Sequence, residues 1–180
     1  MTDAEWDALA PLVTHADQCR PGRPPADPRR LWNAIFWVAC SHGAWHHLPA
    51  ELGRADTAHR ALRRHLEAGL LDRLLVAISP HPLAAAELAP LAWRIARAWR
   101  RVARLASMAQ LMLARRLGLA SALPCAPEDL PKPYLSEFAK RLAAHVRGAG
   151  PILLGFLAAL HHEAMGRRHA WRLTDAPARS

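Results

Sequence analysis

The stretch from Arg29 to Gly69, RRLWNAIFWVACSHGAWHHLPAELGRADTAHRALRRHLEAG, sets apolar residues at helical spacing between glycine breaks, which leaves it few folds to choose from. Leu31, Trp32, Ala34, Ile35, Val38 and Ala39 recur on one helix face, and Phe36 and Trp37 widen the stripe. Asp27-Pro28 starts that helix, a capping carboxylate followed by a proline whose missing N–H has no partner to lose in the first turn. Gly43 is expected to close it as a left-handed cap. Trp45 should then fold back on the core, and Leu48-Pro49 should begin a very short helix that Gly53 ends. Asp56 is expected to cap a third helix, running to about Ala68 and stopped by Gly69. On it Ala58, Leu62 and Leu66 face inward, while Thr57, His59, Arg60, Arg63 and Arg64 face solvent. An apolar helix, a short helix and an Arg-bearing helix in that order read as a helix-turn-helix.

The rest of the chain also reads as helix. Ala and Leu dominate, Tyr and Phe are scarce, and no segment shows the alternation of a strand, so an all-α fold is expected. Thr2 and Glu5 form a capping box for a first helix from about Asp3 to Leu12, burying Trp6, Leu9 and Val13. Between His15 and Asp27 four Pro and Gly residues forbid regular structure, and Arg20, Arg23, Arg29 and Arg30 bracket the loop. It is either an arm that lies in a DNA groove or a solvated linker. Leu70 to Ile78 is a short amphipathic helix completing an N-terminal domain of residues 1–80, and Pro80-His81-Pro82 marks its end.

Residues 81–180 form a C-terminal helical extension. Its longest signal runs from Leu83 to Leu117, with Pro90 restarting the helix at a first-turn position. Arg94, Arg97, Arg100, Arg101 and Arg104 fall on one side of the wheel and Ile95, Trp99, Val102 and Ala106 on the other. Three readings of this stripe stay open: a clamp on a nucleic-acid backbone, a helix on an anionic membrane surface, or the solvated face of a core helix. A Pro-rich loop follows from 118 to 133, then helices from Tyr134 to Val146 and Pro151 to Met165, and a basic tail from Gly166. The basic surplus lies entirely here. Residues 1–80 hold nine Arg against nine acids, whereas residues 81–180 hold fifteen Lys and Arg against six.

Several classes fall away. Cys19, Cys40 and Cys125 share no spacing that suggests a disulfide framework, and the start MTDAEWDALAPLV is not a secretory signal. The longest strongly apolar run, Ile152 to Leu160, is far below the ~20 residues of a bilayer span. A cytoplasmic protein of bacterial type is expected, with no membrane partner.

The blocks TDAEWDALAPL, GRP, DPRRLWNAIFWV, Trp45, LPAELG, and Thr57 followed by Arg60, Arg63 and Arg64 stand in the order found in insertion-element proteins. Residues 1 to 80 thus resemble the N-terminal helix-turn-helix domain of DDE-type insertion-sequence transposases. The resemblance implies double-stranded DNA as partner, in the form of the terminal inverted repeats of a mobile element, and a nucleoid-associated protein. It departs at Trp45-His46-His47-Leu48-Pro49, where such domains usually have Trp-Arg-Asp-Leu-Pro, and at Ala55, His59, Leu62 and His65, where aromatic residues are frequent. Residues 83–180 resemble no family known to us.

The resemblance points to Thr57, His59, Arg60, Arg63 and Arg64 as the groove-facing set; on the DNA reading of the basic loop and of the helical stripe, Arg23, Arg29 and Arg30 are the arm and Arg94, Arg97, Arg101 and Arg104 a backbone clamp. Catalysis is not expected. A DDE enzyme holds two metal ions on three carboxylates carried by a sheet. After residue 80 there are only Glu87, Glu128, Asp129, Glu137, Glu163 and Asp175, with no strand to carry them. Cys40, His42, His46 and His47 fit no standard zinc spacing, and His161-His162-Glu163 lacks the second His a turn later, so neither metal nor cofactor is expected. Two functions follow. One is a non-catalytic DNA-binding derivative of a transposase, acting alone or as partner or inhibitor of an intact transposase. The other, from a different class, is a helical protein-interaction module that dimerises or binds another protein through its apolar C-terminal helices. A third reading takes residues 81–180 as translation of a shifted frame in a GC-rich gene.

Overall fold

Thr2 and Glu5 cap one another. The Glu5 N–H donates to the Thr2 hydroxyl at 3.2 Å and the Thr2 N–H to the Glu5 carboxylate at 2.7 Å, which satisfies two donors that a helix start would otherwise leave open. Helix α1, Asp3–Gln18, begins there and runs past the expected end at Leu12. The computed structural model describes residues 1–18, 27–41, 43–80, 84–145 and 150–166. The loop that carries Arg20 and Arg23, residue His42, the His81-Pro82 pair and the tail from residue 167 lie outside these. The described residues hold helices and turns without a strand, so the fold is all-α.

Helix α2, Pro28–Cys40, starts as its sequence dictates, with the Asp27 carboxylate accepting from the Arg30 N–H at 2.8 Å. Its end differs from expectation. Ser41, in extended backbone, terminates it, and Gly43 does not take a positive φ. The short helix expected after Trp45 is two 3-10 turns, Trp45–His47 and Ala50–Leu52, because Leu48-Pro49 disfavours a helical residue before the proline. Helix α3, Ala55–Glu67, follows. Its N-cap is Arg54, without a side-chain bond, and Asp56 lies within the first turn, where its charge complements the helix dipole. Gly69, at φ 68°, makes the left-handed step into α4, Leu70–Ile78.

The long helix expected from Leu83 to Leu117 is not one helix. A 3-10 stretch, Ala86–Leu91, leads into α5, Ala92–Val102; a further turn, Ala103–Leu105, ends it; and α6, Met108–Arg116, begins afresh. The restart is a full capping box, in which Ser107 accepts from the Gln110 N–H at 3.3 Å and Gln110 from the Ser107 N–H at 2.9 Å.

Two compact units result, Met1–Leu123 and Pro124–Ser180. In the first, α5 packs on α2, α3 and α4, so the structure continues through the break expected near residue 80. Its Ile95, Trp99 and Val102 share one buried core with Leu9 and Val13 of α1, Trp32 and Ile35 of α2, Leu62 of α3 and Leu71 and Leu74 of α4. Each such side chain contributes about 1.5–3 kcal/mol by leaving water, so α5 is a structural member of this unit rather than an appendage. The second unit contains α7, Pro133–His145, and α8, Pro151–Met165.

Candidate nucleic-acid interface

On α3 the inward face is Ala58, Ala61, Leu62, His65 and Leu66, all buried. With 100° per residue, the remaining arc carries His59 at one border, then Arg63 and Arg60, then Arg64 and Thr57 at the other. Thr57, Arg60, Arg63 and Arg64 are exposed and His59 is half-buried. Arg60 reaches Asp56 at 3.4 Å and Arg63 reaches Glu67 at 3.8 Å, both one turn apart. The Arg60 side chain stays 72% exposed in that pair. Surface pairs of this kind are worth about 0.3–0.5 kcal/mol, so a phosphate can take either guanidinium at small cost.

His59 connects this helix to α5. Its ring meets the edge of Trp45 at 5.2 Å between centroids, and the Arg101 guanidinium lies 6.0 Å from the centre of the same Trp45 ring. Arg101 also donates to the Gly43 carbonyl at 2.9 Å, tying the end of α5 to the segment that leads into the 3-10 turns. Burial holds the His59 imidazole below the usual histidine range, and the charges of Arg63, Arg104 and Arg101 press the same way while Asp56 opposes them. His59 is thus surrounded by cations from both α3 and the end of α5. Arg104 itself is exposed.

The basic stripe of α5 therefore divides. Arg101 and Arg104 stand near α3, whereas Arg94 donates to Glu5 at 3.1 Å and Arg97 lies 5.8 Å over the Trp93 ring. Arg94 and Arg97 both act on Cys40, whose thiol is nevertheless pushed up by its burial. Arg94 is a tie between α5 and α1. The two described arginines of the expected arm are also placed in the fold: Arg29 donates to Asp3 at 2.6 Å and to the Met1 carbonyl at 3.2 Å, and Arg30 to the Ala50 carbonyl at 3.2 Å. Both belong to the first turn of α2 and bind its neighbours; Arg23 lies outside the described residues.

Sequence reasoning placed Trp45 on the core and missed its use. Half-buried, it carries His59 on its edge and Arg101 near its ring, so it sets the spacing of the two basic elements. The pattern of a Trp, a His on the next helix and an Arg far downstream gives no local signal of this. His46 and His47 meet ring to ring at 4.1 Å.

Residues 1–75 match the family described as "Putative transposase of IS4/5 family (DUF4096)". Over these residues the chain matches an N-terminal domain of the insertion-sequence transposase type. The chain is also similar to "Uncharacterized protein y4sN" of Sinorhizobium fredii (strain NBRC 101917 / NGR234), with 29% identity over 79 residues, 44% of this chain and 62% of that protein. The match spans about three fifths of that relative's length. No solved structure matches.

Proposed function

From a transposase-type N-terminal domain, we propose that the protein binds double-stranded DNA through α3 and the end of α5, with the terminal inverted repeats of an insertion element as its sites. The observation that carries this reading is that Trp45 joins His59 of α3 to Arg101 of α5, with the charges of Arg63, Arg101 and Arg104 all acting on the His59 ring, which we read as one basic surface from two helices. The groove-facing set is Thr57, His59, Arg60, Arg63 and Arg64 on α3. Exposed arginines on the outward arc of a helix suit base edges in a major groove, and cations flanking it suit the phosphates at the rim. Arg101 and Arg104 are the flanking pair. Arg94, Arg97, Arg29 and Arg30 hold the fold and act on DNA only through it.

The protein acts as an accessory or inhibitor that occupies the ends of an element without cutting them. Support comes from two acids of the second unit that face lysines: Glu137 pairs with Lys140 at 3.1 Å and Glu163 with Lys132. A carboxylate neutralised in this way is a poor ligand for a catalytic divalent ion. The test is competition between a duplex carrying inverted repeats that flank the gene and a scrambled duplex. Preference for the repeats, lost on Arg60→Ala with Arg64→Ala, is the expected result; equal affinity for both leaves a backbone binder without sequence reading.

A further inference from the structure

The second unit is a helical hairpin with too little core to stand alone. The Lys132 N–H donates to the Ala164 carbonyl at 2.9 Å and the Lys132 ammonium pairs with Glu163, so the start of α7 meets the end of α8 and the two run antiparallel. Leu135, Ala139 and Leu142 form the seam with Leu153, Leu157, Leu160 and Ala164, at the spacing of one face on each helix. Among its described residues, the buried hydrophobic side chains are Leu130, Ala139 and Ala164. The five seam leucines, Leu135, Leu142, Leu153, Leu157 and Leu160, are only half-buried, so much of the apolar surface of the hairpin stays in contact with water. Helices of 13 and 15 residues are also marginal by themselves.

What the hairpin lacks inside, it carries outside. Tyr134 is 63% exposed, Phe138 54%, Phe156 53% and Ile152 92%. On the wheel Tyr134 and Phe138 lie on one flank of the α7 seam, and Ile152 and Phe156 on the corresponding flank of the α8 seam. Because the helices are antiparallel, those flanks are the same side of the hairpin. The first pair stands toward one end of it and the second pair toward the other.

We propose that this face pairs with the same face of a second copy of the chain, closing a four-helix bundle. Three features select a second copy as occupant. First, each end of the face carries a pair of large apolar side chains, with Arg141 and the Lys132–Glu163 pair beside them, so a two-fold axis parallel to the helices lays α7 of each copy over the oppositely running α8 of the other, an up-and-down bundle with self-matching contacts. Second, Glu137 pairs with Lys140 and Glu163 with Lys132 within the hairpin, so these groups neither repel a second copy nor offer unpaired charge to a partner of opposite sign. Third, the helices give a face about 20 Å long and about two helix diameters wide, roughly 400–500 Å² per partner, near the ~500 Å² per partner at which specific interfaces begin. The pairing concerns the hairpin alone and stands apart from the DNA reading.

The test uses the full chain. Sedimentation velocity across a concentration series is expected to show a monomer–dimer equilibrium, and Phe138→Glu with Phe156→Glu to weaken it by about 100-fold. Since the hairpin leans on its partner for order, that variant is also expected to lose helical signal. A second measurement therefore keeps the folded surface: photoreactive benzoylphenylalanine at position 156, in an equal mixture of ¹⁴N and ¹⁵N chains, is expected to cross-link unlabelled to labelled segments within residues 133–165. A monomer up to about 100 µM overturns the proposal. So does a dimer indifferent to the double change, cross-linking confined to residues 1–123, or a monomer that floats with phosphatidylglycerol vesicles, which would assign the face to a lipid surface.

Discussion

The indole N–H of Trp99 donates to the carboxylate of Asp72 at 3.0 Å, across 27 residues of chain. Its other oxygen accepts from the Gln110 amide at 2.8 Å, and the same amide nitrogen reaches the Leu66 carbonyl at 3.1 Å. One half-buried acid on α4 thereby anchors α5 and α6. Asp72→Ala leaves the Trp99 donor, on a fully buried ring, without its acceptor and is expected to cost about 2–4 kcal/mol of unfolding free energy in denaturant titration. A cost within about 0.5 kcal/mol of zero would mean that water replaces the carboxylate without loss.

The same anchoring makes residues 1–80 incomplete. Without α5, helices α2, α3 and α4 lose the helix that packs on all three and its buried Ile95, Trp99 and Val102. A fragment of residues 1–80 is expected to unfold without a cooperative transition, and a fragment of residues 1–123 to show one. Equal cooperativity in both, followed by circular dichroism during heating, would return the boundary to residue 80.

Arg94 and Glu5 form a structural pair, so Arg94→Ala is expected to cost about 1–2 kcal/mol of stability and to leave DNA affinity unchanged. The hydrogen bond from the Thr2 N–H lowers the Glu5 carboxyl below its ordinary value near 4.5, burial opposes this, and the Arg94 bond and charge lower it further. A carboxyl lowered on folding contributes stability that is present above its unfolded pKa and is lost as pH falls through the folded one. Wild-type protein should therefore lose stability on acidification below about 4.5 more steeply than Glu5→Gln, measured by denaturant midpoints at several pH values.

His59 offers a readout of bound phosphate. In the free protein burial and the cations of Arg63, Arg104 and Arg101 hold its imidazole below the histidine range. A phosphate over those arginines reverses the local field, so its pKa is expected to rise on DNA binding, followed by NMR titration of the ring. A site with a higher pKa in the complex takes up a proton on binding, and affinity then improves as pH falls toward the free-state value. An unmoved His59 in saturating duplex would place the DNA elsewhere.

Much of the helical order was legible because its signals are local. Asp27-Pro28, Thr2 with Glu5, Gly69 and the apolar faces of α2, α4 and α8 all act within a few residues. The break inside the supposed long helix also had a local signal, since Ser107 and Gln110 stand at capping-box spacing, but the Arg stripe running to Arg104 invited one continuous helix. Gly43 was misread because a glycine after a helix favours a left-handed cap without requiring one; here Ser41 turns the chain in extended backbone first. The division of the stripe was not legible. Arg94 and Arg104 look alike in sequence, and only the packing of α5 sends one to Glu5 and the other toward His59. The same packing, with Ile95, Trp99 and Leu111 fully buried, gives residues 84–123 a place in the core that translation of a shifted frame would not be expected to find.

The most direct test of a joint surface on α3 and the end of α5 is the salt dependence of binding to the repeat duplex. For wild type, log K should fall linearly with log salt, and Arg63→Ala and Arg104→Ala should each lower the slope by about one, while Arg94→Ala leaves it as it was. A slope insensitive to Arg63 and Arg104, or one that Arg94→Ala reduces equally, would contradict the account.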